Sequence, residues 1–169
     1  METIRILNKE HQNILIVITS IEQECERLKT GTEIDPEFFE KAIDFIKNYA
    51  DKFHHAKEED ILFKEFEDVS EQAHCNPVPQ MLHEHELGRN FVKGMQEAIK
   101  TNDKESLIEN SNGYAQLLRE HIYKEDDILY PMIEDVLSDG TEEKMFEEFK
   151  KVELDKKYLA IVKEFEERK

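Results

Sequence analysis

Apolar residues recur at intervals of three and four along most of the chain, a spacing that is typical of amphipathic helices. Glycine and proline, which interrupt helices, fall between the periodic stretches. The pattern predicts four long helices, over about residues 3–30, 36–66, 78–100 and 104–136. We expect Gly31 to end the first helix, Asp35 and Asp103 to cap the second and fourth, and Pro131 to kink the last turns of the fourth.

The four predicted helices are joined by short loops, which favour antiparallel packing around a common axis. We therefore predict an all-α fold, an up-down-up-down four-helix bundle with an additional C-terminal helix. The bundle is assigned to residues 1–137 and the helical extension to residues 138–169. The extension is amphipathic over 142–168, so it could pack on the bundle, or segment 141–168 could serve a protein partner or a homodimer.

The chain of 169 residues carries 40 Asp and Glu against 23 Lys and Arg, a formal net charge of −17. Such an acidic surface repels phosphate backbones and anionic lipids, so we expect no nucleic-acid binding and no membrane binding. The sequence has no apolar run near the roughly 20 residues of a membrane span and no N-terminal signal segment, which predicts a cytoplasmic protein. Cys25 and Cys75 lack a C-x-x-C spacing, so we expect one packing residue, one loop thiol and no disulfide.

An internal repeat is the most specific feature of the sequence. Residues 54–69 and 121–136 share the pattern H-x-x-K-E-x-D-I-L-x-x-x-x-E-D-V. Both copies place a histidine four residues before a glutamate, which puts the two side chains on one helix face. These pairs lie on the apolar stripes, where a carboxylate is costly unless it is paired or bound to a metal. The repeat therefore indicates a buried cation site.

Two further histidines, His11 and His85, lie on the apolar stripes of the first and third predicted helices. At about 1.5 Å per residue, all four stripe histidines lie at one level of an antiparallel bundle. A single buried histidine is more often a hydrogen-bonded core residue, but the shared level and the duplicated motif together favour metal ligation. The candidate metal ligands are His11, His54, Glu58, His85, His121 and Glu125. The periodicity places His55, His74, His83, Glu59 and Asp126 on solvated faces.

This arrangement resembles the hemerythrin-like (HHE, cation-binding) family over about residues 4–136. The resemblance rests on a His in helix 1, His-x-x-x-Glu in helix 2, a Glu-His step at Glu84-His85 and a second His-x-x-x-Glu in helix 4. It implies a four-helix bundle around two iron ions per chain, joined by an oxo or hydroxo bridge and by both glutamates, with the histidines as terminal ligands. The K-E-E and K-E-D contexts are similar to a bacterial branch linked to nitric-oxide stress and iron–sulfur cluster repair.

One position departs from the family's oxygen carriers, which have His-x-x-x-His in helix 3. Met81 lies four residues before His85, and His83 points to another side of the helix. Two six-coordinate ions need about 12 donor positions, of which four histidines, two bridging glutamates and one bridging oxygen fill all but about two. This count argues against oxygen carriage through a single open position and favours exchangeable chemistry at both metals.

The sequence leaves three functions open. The first is a di-iron protein that binds, senses or reduces a small diatomic ligand, O₂ or NO, in oxidative or nitrosative stress. The second is an iron storage or delivery protein that supplies iron–sulfur cluster repair. The third is a signalling domain in which the metal state changes how segment 141–168 docks. Mixed imidazole and carboxylate ligands suit iron best, with manganese or zinc as alternatives, and whether the chain is an enzyme is left undecided.

Overall fold

A computed structural model describes residues 1–168, which form six helices and no strand. The helices are α1 (Glu2–Lys29), α2 (36–67), α3 (Val78–Thr101), α4 (104–136), α5 (Asp139–Phe149) and α6 (Lys157–Glu167). A short 3₁₀ turn, Ser70–Gln72, lies in the loop after α2. The predicted all-helical bundle with additional C-terminal helical structure is confirmed. Within residues 1–168, none of the helices combines the length and apolar character that a membrane crossing requires.

The ends of the helices follow from local chemistry. The Asp35 and Asp103 carboxylates accept hydrogen bonds from the backbone N–H groups of Phe38 and Ser106, which are otherwise unpaired in the first turn. After α1, Gly31 adopts φ +105°, a left-handed conformation that costs glycine little. The predicted starts of α2 and α4 therefore agree with the structure.

Helices α2 and α4 contain π-helical stretches within otherwise continuous helix. In α2 these are Ile46–His55 and Glu58–Leu62, and in α4 the stretch is Glu125–Leu129. A π-helix bonds residue i to i+5, so successive side chains turn by less than the about 100° of an α-helix. The faces of these stretches therefore differ from those that an α-helical period predicts. An α-helical period places Ile128 on the same face as His121, seven residues earlier, but Ile128 is exposed.

The apolar core has two parts, one toward each end of the bundle. One contains residues of α1, α2, α3 and α4 together with Tyr158, Val162 and Phe165 of α6. The other contains residues of the same four helices together with Met145 and Phe149 of α5. The C-terminal segment thus packs on the bundle as two helices rather than one. The division of the chain at residue 137 stays a prediction.

Helices α3 and α4 approach each other closely at two glycines. A Cβ atom at Gly113 would lie 2.5 Å from a Phe91 ring carbon, and one at Gly94 would lie 2.0 Å from the Asn110 amide oxygen. Only glycine permits this approach without a shift of the neighbouring side chain. The close packing brings His85 and His121 of these helices to 3.0 Å between their Nε2 atoms.

Candidate metal centre

Seven buried side chains converge between the two apolar clusters, and they come from all four bundle helices. They form two groups in which one ligand atom from each residue lies within 4.8 Å of the others. The first group is His11, His54, Glu58 and Glu125, and the second is His55, Glu58, His85 and His121. Glu58 belongs to both groups. Glu125 also lies between them, because its Oε2 is 3.3 Å from His11 Nε2 and 3.2 Å from His121 Nε2.

All six residues predicted as ligands are therefore brought together, and one more joins them. His55 was expected on a solvated face, and this prediction is wrong because its side chain is only 8% exposed. His55 ends the π-helical stretch of α2, where the smaller turn per residue directs both His54 and His55 inward. Its ring stacks on that of His85 at 3.7 Å between centroids. The centre contains five imidazoles rather than four.

Carboxylates outside the centre orient four of the imidazoles through their Nδ1 atoms. Asp126 lies 2.6 Å from His11 Nδ1, Glu10 3.0 Å from His54, Glu59 2.7 Å from His85 and Glu84 2.9 Å from His121. A histidine whose Nδ1–H donates to a carboxylate presents Nε2 as a free electron pair, which is the usual arrangement around a metal-bound imidazole. The predictions that Glu59 and Asp126 are solvated are wrong, since both are half-buried and hydrogen-bonded.

The two copies of the repeat make equivalent contacts around the centre. In each copy the lysine contacts the glutamate that orients the repeat's own histidine: Lys57 contacts Glu10, and Lys124 contacts Glu84. The acidic residue after the central glutamate orients the histidine on the first helix of the other half: Glu59 orients His85 of α3, and Asp126 orients His11 of α1. The pseudosymmetry is broken at His55, because the second copy has Ile122 at this position. The two ligand groups are therefore unequal, with three histidines in one and two in the other.

The two repeat lysines differ in burial, which predicts unequal effects of removing them. The side chain of Lys57 is 2% exposed and lies 3.6 Å from the centre of the Phe53 ring, whereas that of Lys124 is 32% exposed. Lys57→Ala is expected to lower the free energy of unfolding by about 3–5 kcal/mol, because it leaves the buried Glu10 without its cationic partner. Lys124→Ala should cost about 1 kcal/mol or less, since water reaches that ion pair. Equal losses in urea unfolding of the two variants would contradict this account.

Several ligand atoms in the centre have no hydrogen-bond partner within residues 1–168. They are His11 Nε2, His54 Nε2, Glu58 Oε2 and both Glu125 carboxylate oxygens, whereas His55 Nδ1 lies 3.5 Å from the Asp51 carboxylate outside the centre. Buried polar atoms are rarely left unpaired, and an unpaired carboxylate costs several kcal/mol, about 3 or more. Unpaired nitrogen and oxygen atoms that face one another are what a bound cation would satisfy. The donor set therefore fits a metal site.

The pKa values divide the five imidazoles of the centre into two groups, because burial lowers the pKa values of His54 and His85 as well as that of His55, whereas those of His11 and His121 are raised. Burial opposes protonation of His11 and His121, yet the carboxylates around them outweigh it and raise their pKa values to about 9 and about 10. Burial and the neighbouring Glu125 raise the pKa of Glu58 well above its usual range. Burial lowers the pKa of His55 to about 3, with His85 adding to the effect. In the metal-free chain, protons on His11 and His121 supply the charge that a cation would bring.

This electrostatic arrangement predicts that the metal-free protein loses stability in alkaline solution. His11 and His121 are charged in the folded chain up to pKa values of about 9 and about 10, against an ordinary value of 6.5. Their contribution is complete below the ordinary pKa and is lost as the pH rises through the folded values. The histidines with lowered pKa values are neutral in both states over this range. Thermal unfolding of the metal-free chain should therefore show a falling Tm between pH 7 and pH 10, and a flat profile would contradict the assignment.

Tyr130 is a further buried residue at the centre that the sequence did not single out. Its hydroxyl donates to Glu58 Oε1, and its ring lies parallel to that of His11 at 5.7 Å between centroids. Oε1 also lies 3.6 Å from His54 Nε2, and the unpaired Oε2 lies 3.5 Å from His85 Nε2, so each oxygen faces one ligand group. Tyr130 thus fixes the orientation of the carboxylate that both ligand groups share.

The remaining predicted positions are as expected. His74 and His83 are exposed, Cys25 is buried and Cys75 is exposed, and both cysteines are free. The residues that the sequence reasoning missed are Glu10, Lys57, Lys124 and Tyr130. The sequence contained a signal for the glutamate and for the two lysines. Glu10-His11 and Glu84-His85 are the same dipeptide, and both copies of the repeat have a lysine at the same position.

The fold and the site together define a helical-bundle protein with a buried cation centre of imidazoles and carboxylates. A family model described as "Hemerythrin HHE cation binding domain" matches residues 2–133. The chain therefore belongs to the hemerythrin HHE cation-binding family, as its sequence motifs predicted. Comparison with curated proteins and with solved structures gave no significant match. The family and the buried His/Glu groups support cation binding by this domain.

Proposed function

We propose that this chain is a non-haem di-iron protein that binds a small diatomic ligand, O₂ or NO, in the response to oxidative or nitrosative stress in the cytoplasm. The observation that carries the proposal is the pair of overlapping ligand groups that share Glu58. Two groups with a shared carboxylate suit two ions held close together. A site of five imidazoles and two carboxylates suits iron better than it suits calcium or magnesium, which prefer ligand sets made only of oxygen.

In this proposal His11 and His54 hold one ion, His55, His85 and His121 hold the other, and Glu58 and Glu125 serve both. A pair of iron ions would supply electron transfer to a bound small molecule. The protein's own contribution is orientation: Glu10, Glu59, Glu84 and Asp126 keep each imidazole aimed inward. Apolar clusters lie on either side of the centre, and all seven of its ligand side chains are buried.

The additional histidine changes the count of open coordination positions. With four histidines, about two of the about 12 positions of two six-coordinate ions remain open when a bridging oxygen is included. His55 reduces that number to about one. A single open position on one of two unequal ions is what reversible binding of one diatomic molecule requires, so Met81 does not argue against oxygen carriage. His55 takes the place that the helix 3 sequence leaves vacant.

An anaerobic optical titration tests the proposal. The chain is loaded with iron, reduced, and titrated separately with O₂ and with NO while its visible absorption is recorded. We expect a saturable spectral change with at least one of the two gases, at about one molecule per pair of ions. The Glu125→Ala variant treated in the same way should show no such change. No response of the wild-type chain to either gas would overturn the proposal.

A chelator challenge separates gas binding from iron delivery. A resident centre should retain its iron when the reduced chain meets a chelator under anaerobic conditions, because buried ligands exchange slowly. Rapid and complete transfer of iron to the chelator would instead support storage or delivery for cluster repair.

Use of segment 141–168 by a partner or a homodimer stays a prediction, and Leu159 is its exposed large apolar residue.

A further inference from the structure

A cavity of about 320 Å³ lies among α2, α3 and α4 and borders the candidate metal centre. Its inner end is lined by three of the centre's imidazoles, those of His55, His85 and His121, which are buried. Its outer end is lined by Lys47 and Lys93, which are exposed. The cavity therefore connects the second ligand group to the protein surface.

The size of the cavity exceeds what a diatomic ligand needs. One water occupies about 30 Å³ of liquid, and O₂ and NO are of similar size. Cavities that bind organic ligands begin at about 300 Å³ and are mostly apolar with a few polar groups. Here Ile46, Val92, Tyr114 and Leu118 form the apolar wall, and Gly88 widens it by having no side chain.

The charges around the cavity favour an anion at its mouth. The acidic lining residues are already paired, since Asp51 lies 2.7 Å from Arg89 and Glu84 contacts both His121 and Lys124. Glu86, which is exposed, lies 3.6 Å from Arg89. Within residues 1–168, Lys47 and Lys93 form no ion pair, although Lys93 lies 3.4 Å from the Asn90 side-chain oxygen. Two unpaired ammonium groups in a chain of net charge −17 are available to a carboxylate.

We propose that this cavity binds a small organic acid, with its carboxylate at Lys47 and Lys93 and its apolar body directed toward His55, His85 and His121. Binding in the cavity is independent of the proposed function, whereas contact between the acid and a metal ion rests on it. The centre would then act on, or be regulated by, an amphipathic carboxylate in addition to a diatomic ligand.

Calorimetric titration of the full chain with octanoate tests the proposal, with octanamide as the neutral analogue of the same length. We expect one octanoate per chain and at least about tenfold weaker binding of octanamide. The double variant Lys47→Glu/Lys93→Glu should bind octanoate at least about tenfold more weakly. Lys163→Glu makes the same change of sign at an exposed position on α6, outside the cavity, and should leave the affinity within about twofold.

Gly88→Ala tests the shape of the cavity. The added Cβ would lie 3.5 Å from a Tyr114 ring carbon and 3.8 Å from Leu118, which is ordinary contact, so the variant should fold. The added methyl group narrows the cavity, so the variant should bind octanoate about tenfold more weakly. No octanoate binding by the wild-type chain, equal binding of octanamide, or equal losses in Lys163→Glu and the double variant would each overturn the proposal.

The same preparations distinguish this proposal from the proposed function. If the chain binds octanoate but the visible spectrum of its iron-loaded form does not change with O₂ or NO, the cavity site is upheld and the diatomic-binding function is overturned. A gas response without octanoate binding would do the reverse. If octanoate reaches the centre, it should also change the visible spectrum of the iron-loaded wild-type chain and not that of the double lysine variant.

Discussion

Glu58→Ala is expected to reduce the iron content of the purified chain from about two ions to less than about one. Glu58 is the residue that both ligand groups share, so its loss removes a ligand from each. The carboxylate also provides negative charge at a point where the imidazoles provide none. Elemental analysis after anaerobic iron loading and desalting measures the effect. Glu125→Ala should behave alike, because its Oε2 lies within 3.3 Å of histidines from both groups.

His55 and His83 provide a matched comparison within this experiment. Both are histidines outside the two His-x-x-x-Glu pairs, but His55 is buried at the centre and His83 is exposed on α3. His55→Ala should weaken iron retention by at least about tenfold, and His83→Ala should leave it unchanged. An undiminished iron content in Glu58→Ala, or equal losses in the two histidine variants, would show that iron binds elsewhere.

The positions of the helices could be predicted because the apolar period is strong and the breakers are well placed. Asp35 and Asp103 cap the predicted helices through the expected hydrogen bonds. Six of the seven central residues were also found, since each lies on a stripe with the helical period. These features depend on local sequence alone, which is why they are accessible without the structure.

His55 was missed because the prediction assumed an α-helical turn of about 100° per residue. The π-helical stretch Ile46–His55 changes that angle, and no residue in it marks the change. The structure therefore turns His55 inward beside His54, and in α4 the stretch Glu125–Leu129 leaves Ile128 exposed. The widened turns accommodate consecutive ligands that a regular α-helix would direct to different sides.

The division of the C-terminal segment depends on tertiary packing rather than on a breaker. Residues 150–156 contain neither glycine nor proline, so the sequence predicts one helix. A single α-helix in phase with Met145 and Phe149 would place Leu159 inward, but the structure buries Tyr158 and exposes Leu159. The break allows α5 to reach one apolar cluster and α6 to reach the other in a different phase.

Removal of the metal is expected to lower the Tm of the wild-type chain by roughly 15–30 °C. A ligand present at about a thousand times its Kd stabilises the folded state by about 4 kcal/mol, so two sites contribute about 8 kcal/mol. In a chain of this size, each kcal/mol changes the Tm by about 2–4 °C. Differential scanning calorimetry of the iron-loaded chain, and of metal-free chain that has been unfolded and refolded in excess chelator, measures the change.

The double variant Glu58→Gln/Glu125→Gln determines whether the buried carboxylates are the cause. It keeps the shape of both side chains and removes their charge, so it should respond little to chelation. It also removes the buried charge of Glu125, whose pKa the protonated His121 and His11 hold well below its usual range when no cation is bound. At a pH above the pKa values that these histidines have in the folded chain, the metal-free double variant should therefore be more stable than the metal-free wild-type chain. A wild-type Tm that does not change on chelation would mean that the folded chain tolerates its buried carboxylates without a cation, against the electrostatic argument for the site.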